Sequence, residues 1–273
     1  MPSKVTALPV KRKFGETMRD DAWWVQPLLV FTVFSSFILY STWAVLFGAA
    51  GAESANLLSP FFSPLLFWPS HHALIESPGA PGFWPDFLIY SPAMLVMWMP
   101  VSFRLTCYYY RGAYYKAFWA DPVACSVGEP RNSYLGERHL PLIMQNLHRY
   151  TLPFALLLLV FLTKDAWNAL WFESTAGTGE YDQFGVSIGT LVLTTNVVLL
   201  SLYTFGCHSL RHLVGGGLDI LSGRPLRKKA YDCVTWCNKS HMRFAWFSLV
   251  WVALTDVYVR LCATGVFIDW RLF

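Results

Sequence analysis

Long apolar runs, separated by shorter polar segments, dominate the pattern of this chain. A helix that crosses the hydrocarbon core of a membrane needs about 20 consecutive apolar residues. Five stretches reach this length: residues 25–50, 87–115, 141–163, 184–214 and 241–266. The pattern therefore predicts an all-α integral membrane protein, a five-helix transmembrane bundle whose spans occupy residues 25–266.

The composition supports this prediction, because 55% of the 273 residues are hydrophobic and only 14% are charged. Such a chain is too apolar for an ordinary soluble domain. The first apolar run is too long for a secretory signal and has no small-residue cleavage site, so residues 1–24 are expected to remain as an N-terminal segment. No phosphate-binding glycine loop or nucleotide fingerprint occurs, and no nucleic-acid partner is expected.

Basic residues predict the orientation, because loops rich in lysine and arginine stay in the cytoplasm. No lysine or arginine lies between Arg19 and Arg104, so the first connecting loop, residues 51–86, is predicted to be external. The fourth loop carries four basic residues: Arg224, Arg227, Lys228 and Lys229. The N-terminus is therefore predicted to be cytoplasmic, and the C-terminal tail, residues 267–273, to lie outside.

The external loop 51–86 is rich in proline and aromatic residues. Proline removes a backbone donor and clashes with the preceding turn, so this loop cannot form a regular helix. Its aromatic side chains favour a lid at the outer membrane interface. Near the outer end of the last span, Asp256 and Arg260 are four residues apart and are expected to form a structural ion pair.

Histidine and cysteine gather at the predicted cytoplasmic ends of the last three spans. The residues are His148, Cys207, His208, His212, Cys233, Cys237 and His241. His208 and His212 are four apart and would share one helix face. Cys233, Cys237 and His241 repeat every four residues and would line another. Cys207 points about 100° away from His208 on a helix, which makes it the least favoured member.

Coordinating side chains at membrane depth are costly and tend to mark function. Two cysteines with two histidines are the ligands of a Rieske-type [2Fe–2S] cluster, whereas imidazoles paired across helices hold a b-type haem. The same residues suit a structural zinc site. The remaining alternative is a transporter or scaffold in which the histidines only pack or form hydrogen bonds.

Three strings carry a resemblance to a known family: QNLHRY at 145–150, CHSLRHLVGG at 207–216 and NKSHMRFAWFSLVWVALTDVYVRL at 238–261. They resemble the single-chain membrane anchor of actinobacterial succinate dehydrogenase, the respiratory complex II. The resemblance implies a multi-pass subunit of the bacterial plasma membrane, with flavoprotein and iron–sulfur subunits docked on its cytoplasmic side. It also implies electron transfer to a quinone, which is expected to be menaquinone. A higher oligomer of the complex is compatible with the resemblance. Succinate oxidation is expected in the partner subunits.

Within this family the chain resembles a haem-free subset with a Rieske-type cluster in the membrane part. The dihaem anchors place axial histidines on spans one, two, four and five, but the first two spans here contain none. The implied thiolate ligands are two of Cys207, Cys233 and Cys237. The implied imidazole ligands are two of His208, His212 and His241, with His148 in reserve. Haem b on the same histidines is the alternative. The candidate quinone contacts are His148, Arg149 and Arg211.

Overall fold

The computed structural model describes residues 13–131, 139–140, 142–174 and 179–273. The first half of the predicted N-terminal segment, residues 1–12, therefore lies outside the described residues. The α-helices in the described part are α1 Val25–Phe47, α2 Trp98–Leu105, α3 Tyr108–Gly112, α4 His148–Asn168, α5 Ile188–Phe205, α6 His208–Gly215, α7 Pro225–Lys239 and α8 His241–Ala263. The β-strands are β1 Glu53–Ser54, β2 Leu57–Leu58, β3 Trp171–Glu173 and β4 Tyr181–Phe184.

Within the described residues, four helices are long and apolar enough to cross a membrane. They are Val25–Phe47, Leu142–Asn168, Ile188–Phe205 and His241–Ala263. Each coincides with one of the five predicted spans, so the prediction of a mainly helical, multi-pass chain is confirmed. The predicted positions of the two termini relative to the membrane stay predictions.

The second predicted span, residues 87–115, is not a continuous helix. It consists of the 3₁₀ turn Pro92–Leu95, then α2, α3 and a π-helical turn. The hydroxyl of Thr106 donates to the carbonyl oxygen of Ser102, and Cys107 adopts an extended conformation with φ −67° and ψ 128°. A side chain that bonds the preceding turn competes with the helix ladder. A fifth continuous spanning helix is therefore not confirmed, because apolar composition does not guarantee an unbroken helix.

The fourth predicted span, residues 184–214, also breaks. Helix α5 ends at Phe205, and Cys207 is extended, with φ −62° and ψ 133°, before α6 begins. Helix α6 ends at Gly215, the first of three consecutive glycines, and Gly217 has φ +71°, which favours glycine. The end of this predicted span thus differs from the sequence prediction. Helix α8, separated from α7 at Ser240 with φ −114° and ψ 17°, begins at His241, where the fifth span was predicted to begin.

The described chain divides into two compact units. The smaller unit draws on Met1–Ser36 and Cys107–Gln145, and there Phe34 stacks on Tyr110 with ring centroids 5.7 Å apart. In the same unit the guanidinium of Arg19 donates to the carbonyl oxygen of Cys125 at 2.9 Å.

The larger unit comprises Phe37–Thr106 and Asn146–Phe273, and it contains most of the helices. In it α5 packs along α8, and α4 packs against both α2 and α5. The strands form two small antiparallel hairpins, with Glu53 opposite Leu58 in β1–β2 and Trp171 opposite Phe184 in β3–β4.

The proline-rich loop 51–86 is irregular, as predicted, but it is also part of the core of the larger unit. Besides the β1–β2 hairpin it contains the 3₁₀ turn Pro60–Phe62. Leu58, Phe61 and Phe62 are buried in one apolar cluster together with Ala44 of α1 and Val252 of α8. Burial of this apolar surface ties the loop to the helices.

The predicted ion pair between Asp256 and Arg260 is present, with Nε 2.7 Å from Oδ2. The hydroxyls of Tyr40 and Ser59 also donate to the Asp256 carboxylate. Arg260 donates in addition to the carbonyl oxygen of Gly48, which directly follows the end of α1. The pair therefore joins α1, the loop 51–86 and α8.

Candidate functional site

Four of the predicted donor residues gather around the break between α5 and α6. His148 begins α4, Cys207 lies in the break, Cys237 is near the end of α7, and His241 begins α8. Cys207, Cys237 and His241 are buried, with 0%, 3% and 2% exposure, and His148 is partly buried. The Sγ of Cys207 lies 3.2 Å from Nε2 of His148.

Gly206 allows the α7–α8 junction to approach the end of α5. A Cβ atom at this position would lie 2.8 Å from Nδ1 of His241 and 3.1 Å from the carbonyl oxygen of Cys237. The side-chain amide of Asn238 donates to the carbonyl oxygen of Gly206 at 2.7 Å. Glycine is therefore needed here, because a side chain would collide with the α7–α8 junction. His241 thereby lies close to Gly206, the residue that precedes Cys207.

Aromatic rings hold both imidazoles of this group. His148 stacks on Phe103, with centroids 4.5 Å apart and an interplanar angle of 21°, and His241 stacks on Tyr203 at 5.0 Å and 13°. Phe103 and Tyr203 touch each other edge to face at 5.5 Å. The hydroxyl of Thr106 lies 3.0 Å from Nδ1 of His148. Contacts of this kind fix the orientation of an imidazole, as do the residues that hydrogen-bond the ligands of a metal site.

His208 and His212 lie apart from this buried group. They share one face, as predicted, with their Nε2 atoms 2.9 Å apart, but both are exposed. The fourth predicted span, residues 184–214, included both histidines, but the structure places them on the separate helix α6, which begins after the extended Cys207. Their role as ligands stays a prediction.

The prediction that Cys233, Cys237 and His241 line one helix is also wrong, because Ser240 interrupts the helix. Cys233 is exposed on α7, whereas Cys237 and His241 are buried. Cys207, ranked lowest from the sequence, is in contact with a histidine, His148. That ranking assumed a continuous helix through residues 207–208, and the break there changes the direction of the Cys207 side chain.

Among the described residues, no three histidine, cysteine or acidic side chains are arranged as a metal site. The donor contacts are pairwise, as between His148 and Cys207. Two cysteines and two histidines are the donor types of a Rieske-type cluster, but Cys237 approaches Gly206 through its backbone carbonyl and not through its thiol. Burial raises the pKa of the Cys237 thiol, and the neighbouring Cys233 acts in the same direction. A metal bound there would have to displace that proton.

The three candidate quinone contacts differ in their surroundings. Arg149 is exposed, with its guanidinium 4.8 Å from the ring of Tyr150. Arg211 links α6 to α7, because its Nε donates to Thr235 Oγ1 at 3.2 Å. Of the three, His148 is the one in contact with a buried cysteine.

Sequence reasoning missed Arg104, on α2. Its two terminal nitrogens donate to the carbonyl oxygen of Ala245 at 3.2 Å and to Ser248 Oγ at 3.0 Å. Its guanidinium carbon lies 4.8 Å from the ring centroid of Tyr203. An arginine within an apolar stretch was the available signal, since charges at membrane depth tend to be functional.

The comparisons with known proteins agree with this architecture. Residues 25–265 match the family described as "Actinobacterial succinate dehydrogenase subunit SdhC". A chain of the solved structure described as "Mycobacterium smegmatis Sdh1 complex in the apo form" is 38% identical, with a TM-score of 0.80 and 97% of each chain covered. No curated protein matches the sequence. Because the family match covers most of the chain, this protein belongs to the SdhC family, the membrane subunits of actinobacterial succinate dehydrogenase.

Proposed function

We propose that this chain passes electrons from the iron–sulfur subunit of succinate dehydrogenase, through a Rieske-type [2Fe–2S] cluster, to menaquinone. Family membership makes the chain a membrane anchor subunit of this oxidoreductase in the plasma membrane. Its partners are the flavoprotein and iron–sulfur subunits, together with quinone. Succinate oxidation belongs to the assembled complex.

The observation that supports the cluster is the contact of Cys207 with His148, together with the approach of His241 and of the backbone of Cys237 to Gly206. Cys207 and Cys237 would hold one iron, and His148 and His241 the other. This moves His148 from reserve into the proposed set, because it contacts Cys207 at 3.2 Å. The exposed residues Cys233, His208 and His212 become the reserve. When bound, a histidine-ligated cluster supplies a higher reduction potential than an all-cysteine ferredoxin type, which suits delivery to a quinone.

The surrounding residues would orient these donors and exclude water. Thr106 faces Nδ1 of His148 and leaves Nε2 directed at Cys207. Tyr203 covers one face of His241. With water kept out, a ligand set of this kind keeps its geometry between redox states, because the side chains cannot turn toward solvent.

A b-type haem is the second candidate. It is supported by the same two imidazoles, His148 and His241, which begin separate spanning helices and are each fixed by a stacked ring. Haem ligation would not require the thiols.

An EPR and optical study of the purified, dithionite-reduced complex tests the proposal. Wild type is compared with Cys237→Ala, and with Cys125→Ala as a matched control at an exposed cysteine of the smaller unit. The expected result is a Rieske-type signal without haem bands, lost in Cys237→Ala and retained in Cys125→Ala. Sharp haem bands that survive Cys237→Ala would favour haem b, and a complex with neither signal would leave this chain a scaffold.

A further inference from the structure

Two adjacent histidines, His71 and His72, connect the two β-hairpins of the larger unit. The ring of His71 stacks on Tyr181 of β4, with centroids 4.9 Å apart and an interplanar angle of 19°. Nε2 of His72 lies 2.9 Å from the carbonyl oxygen of Ala55, in the β1–β2 turn. The exposed ring of His71 therefore links the loop 51–86 to the β3–β4 hairpin, while the partly buried ring of His72 packs within the loop itself.

The two imidazoles also contact each other, with centroids 4.0 Å apart and an interplanar angle of 39°. Neutral rings can pack at this distance without charge repulsion. Two imidazolium rings would repel each other, because like charges about 4 Å apart interact strongly even near a protein surface. The arrangement therefore favours states in which no more than one of the two rings is charged.

Charged groups on several elements act on this pair. In the described part of the chain they are Glu53 on β1, Lys164 on α4 and, acting on Tyr181, Glu173 on β3. Burial lowers the pKa of His72, and the neighbouring His71 acts in the same direction, as does Lys164. Glu53 opposes them, and its carboxylate accepts a hydrogen bond from the hydroxyl of Ser70. The closed contact thus favours the neutral form of His72.

Proton uptake is therefore easier when the contact is open. The pKa of a histidine free in solvent is about 6.5, above that of His72 in the closed contact. A group whose pKa is lower in the closed state takes up its proton preferentially in the open state, so acidification favours opening. The closed contact is most stable above a pH of about 6.5, and its stability declines as the pH falls below that value. Because the rings touch, they titrate as a coupled pair.

We propose that His71 and His72 form a pH-sensitive latch, which holds the β3–β4 hairpin against the loop 51–86 near neutral pH and releases it in acid. Release moves the exposed ring of His71 away from Tyr181. The loop itself stays in place, because its apolar cluster around Phe62 remains packed on α1 and α8. The latch goes beyond the proposed function and does not depend on it, since no redox group takes part.

Amide hydrogen–deuterium exchange of the purified complex tests the latch at a pH of about 7.5 and of about 5.5, on either side of the ordinary histidine pKa. Protection factors are compared, because they divide out the intrinsic pH dependence of exchange. Amides around the paired residues Glu173 and Tyr181 should lose protection in acid, by up to about tenfold per pH unit for each proton taken up. The amide of Gly185, which donates to the carbonyl oxygen of Leu170 at the base of the hairpin, should stay protected.

Two substitutions remove the charge but keep the contact. His71→Phe retains an aromatic ring for Tyr181, and His72→Gln retains a side-chain donor for the carbonyl oxygen of Ala55. Each variant should keep, in acid, the hairpin protection that wild type loses. His139→Gln is the matched control, because His139 is an exposed histidine of the smaller unit, and this variant should behave as wild type does.

Glu53→Gln tests the latch in the opposite direction and covers the case in which a histidine variant does not assemble. It keeps an acceptor for Ser70 but removes the negative charge that favours protonation of His72, so the loss of protection in acid should be larger than in wild type. Equal protection factors at both pH values in wild type would overturn the inference. So would a loss in acid that persists unchanged in His71→Phe and His72→Gln, or one that Glu53→Gln does not enlarge.

Discussion

The two ends of α8 bury polar groups of different kinds. Toward Ala263, each carboxylate oxygen of Asp256 accepts hydrogen bonds from two donors, supplied by Arg260, Tyr40 and Ser59. Toward His241, the buried groups are thiols and imidazoles, held by stacked rings and a sulfur–nitrogen contact of 3.2 Å. Charge-assisted hydrogen bonds fix a structure, whereas sulfur and nitrogen donors with weak partners can still bind a metal. The Ala263 end of α8 therefore stabilises the fold, whereas the His241 end is where we propose that a redox group binds.

Breaking the ion pair should have the largest effect on stability. Arg260→Met leaves the Asp256 carboxylate buried without its cation, which costs about 3–5 kcal/mol. The same change removes the donor to Gly48 at the end of α1. Thermal denaturation of the detergent-solubilised complex should show earlier loss of the assembled subunit.

The control for this variant replaces both partners. Asp256→Leu combined with Arg260→Met removes both charges, so it should be more stable than Arg260→Met alone. If the double variant is equally unstable, the loss comes from packing around Arg260. In either variant that still assembles, the redox signal at the His241 end should be unchanged.

Two glycine substitutions compare the ends of α8 directly. At Gly48 a Cβ would lie 2.5 Å from Nη1 of Arg260, and at Gly206 it would lie 2.8 Å from Nδ1 of His241. Overpacking of this kind costs about 1–3 kcal/mol. Gly48→Ala should therefore lower stability only, whereas Gly206→Ala should also alter the EPR or optical spectrum of the redox group.

The matched control is Gly51→Ala, whose Cβ would lie 3.4 Å from the same Arg260 nitrogen. It should be closer to wild type in stability than Gly48→Ala. A normal spectrum in an assembled Gly206→Ala complex would indicate that His241 is not a ligand.

Thr106→Val should have a smaller effect, limited to the donor site. The hydroxyl of Thr106 lies 3.0 Å from Nδ1 of His148. Loss of a hydrogen-bond partner of a ligating histidine lowers metal affinity about 10–100-fold. Iron per complex after a fixed chelator challenge should therefore fall. Thr194→Val is the control, because that hydroxyl bonds only the carbonyl of Thr190 within α5 among the contacts described; an equal loss of iron in both variants would argue against the role of Thr106.

The sequence predicted the positions of spanning helices better than the arrangement of the site. Apolar length is a local property, so four spans and the pairing of Asp256 with Arg260 could be read from the pattern. The breaks at Cys207 and Ser240 could not, because they depend on contacts between distant segments, such as Asn238 with Gly206. Those breaks decide which donors are buried. Arg104 was missed for the same reason, since its partners lie on α8.

The exposed histidine pair offers the mildest test of the difference between buried and exposed donors. His212→Gln removes an imidazole whose Nε2 faces His208 at the surface of α6, and surface substitutions usually change stability by no more than about 0.5 kcal/mol. Its redox signal should match wild type, while His241→Gln, a change of the same kind at a buried position, should abolish it. Loss of the signal in His212→Gln would instead mean that α6 contributes a ligand in the assembled complex. In that case proximity to the break at Cys207, and not burial of the side chain, would decide which histidines bind the redox group.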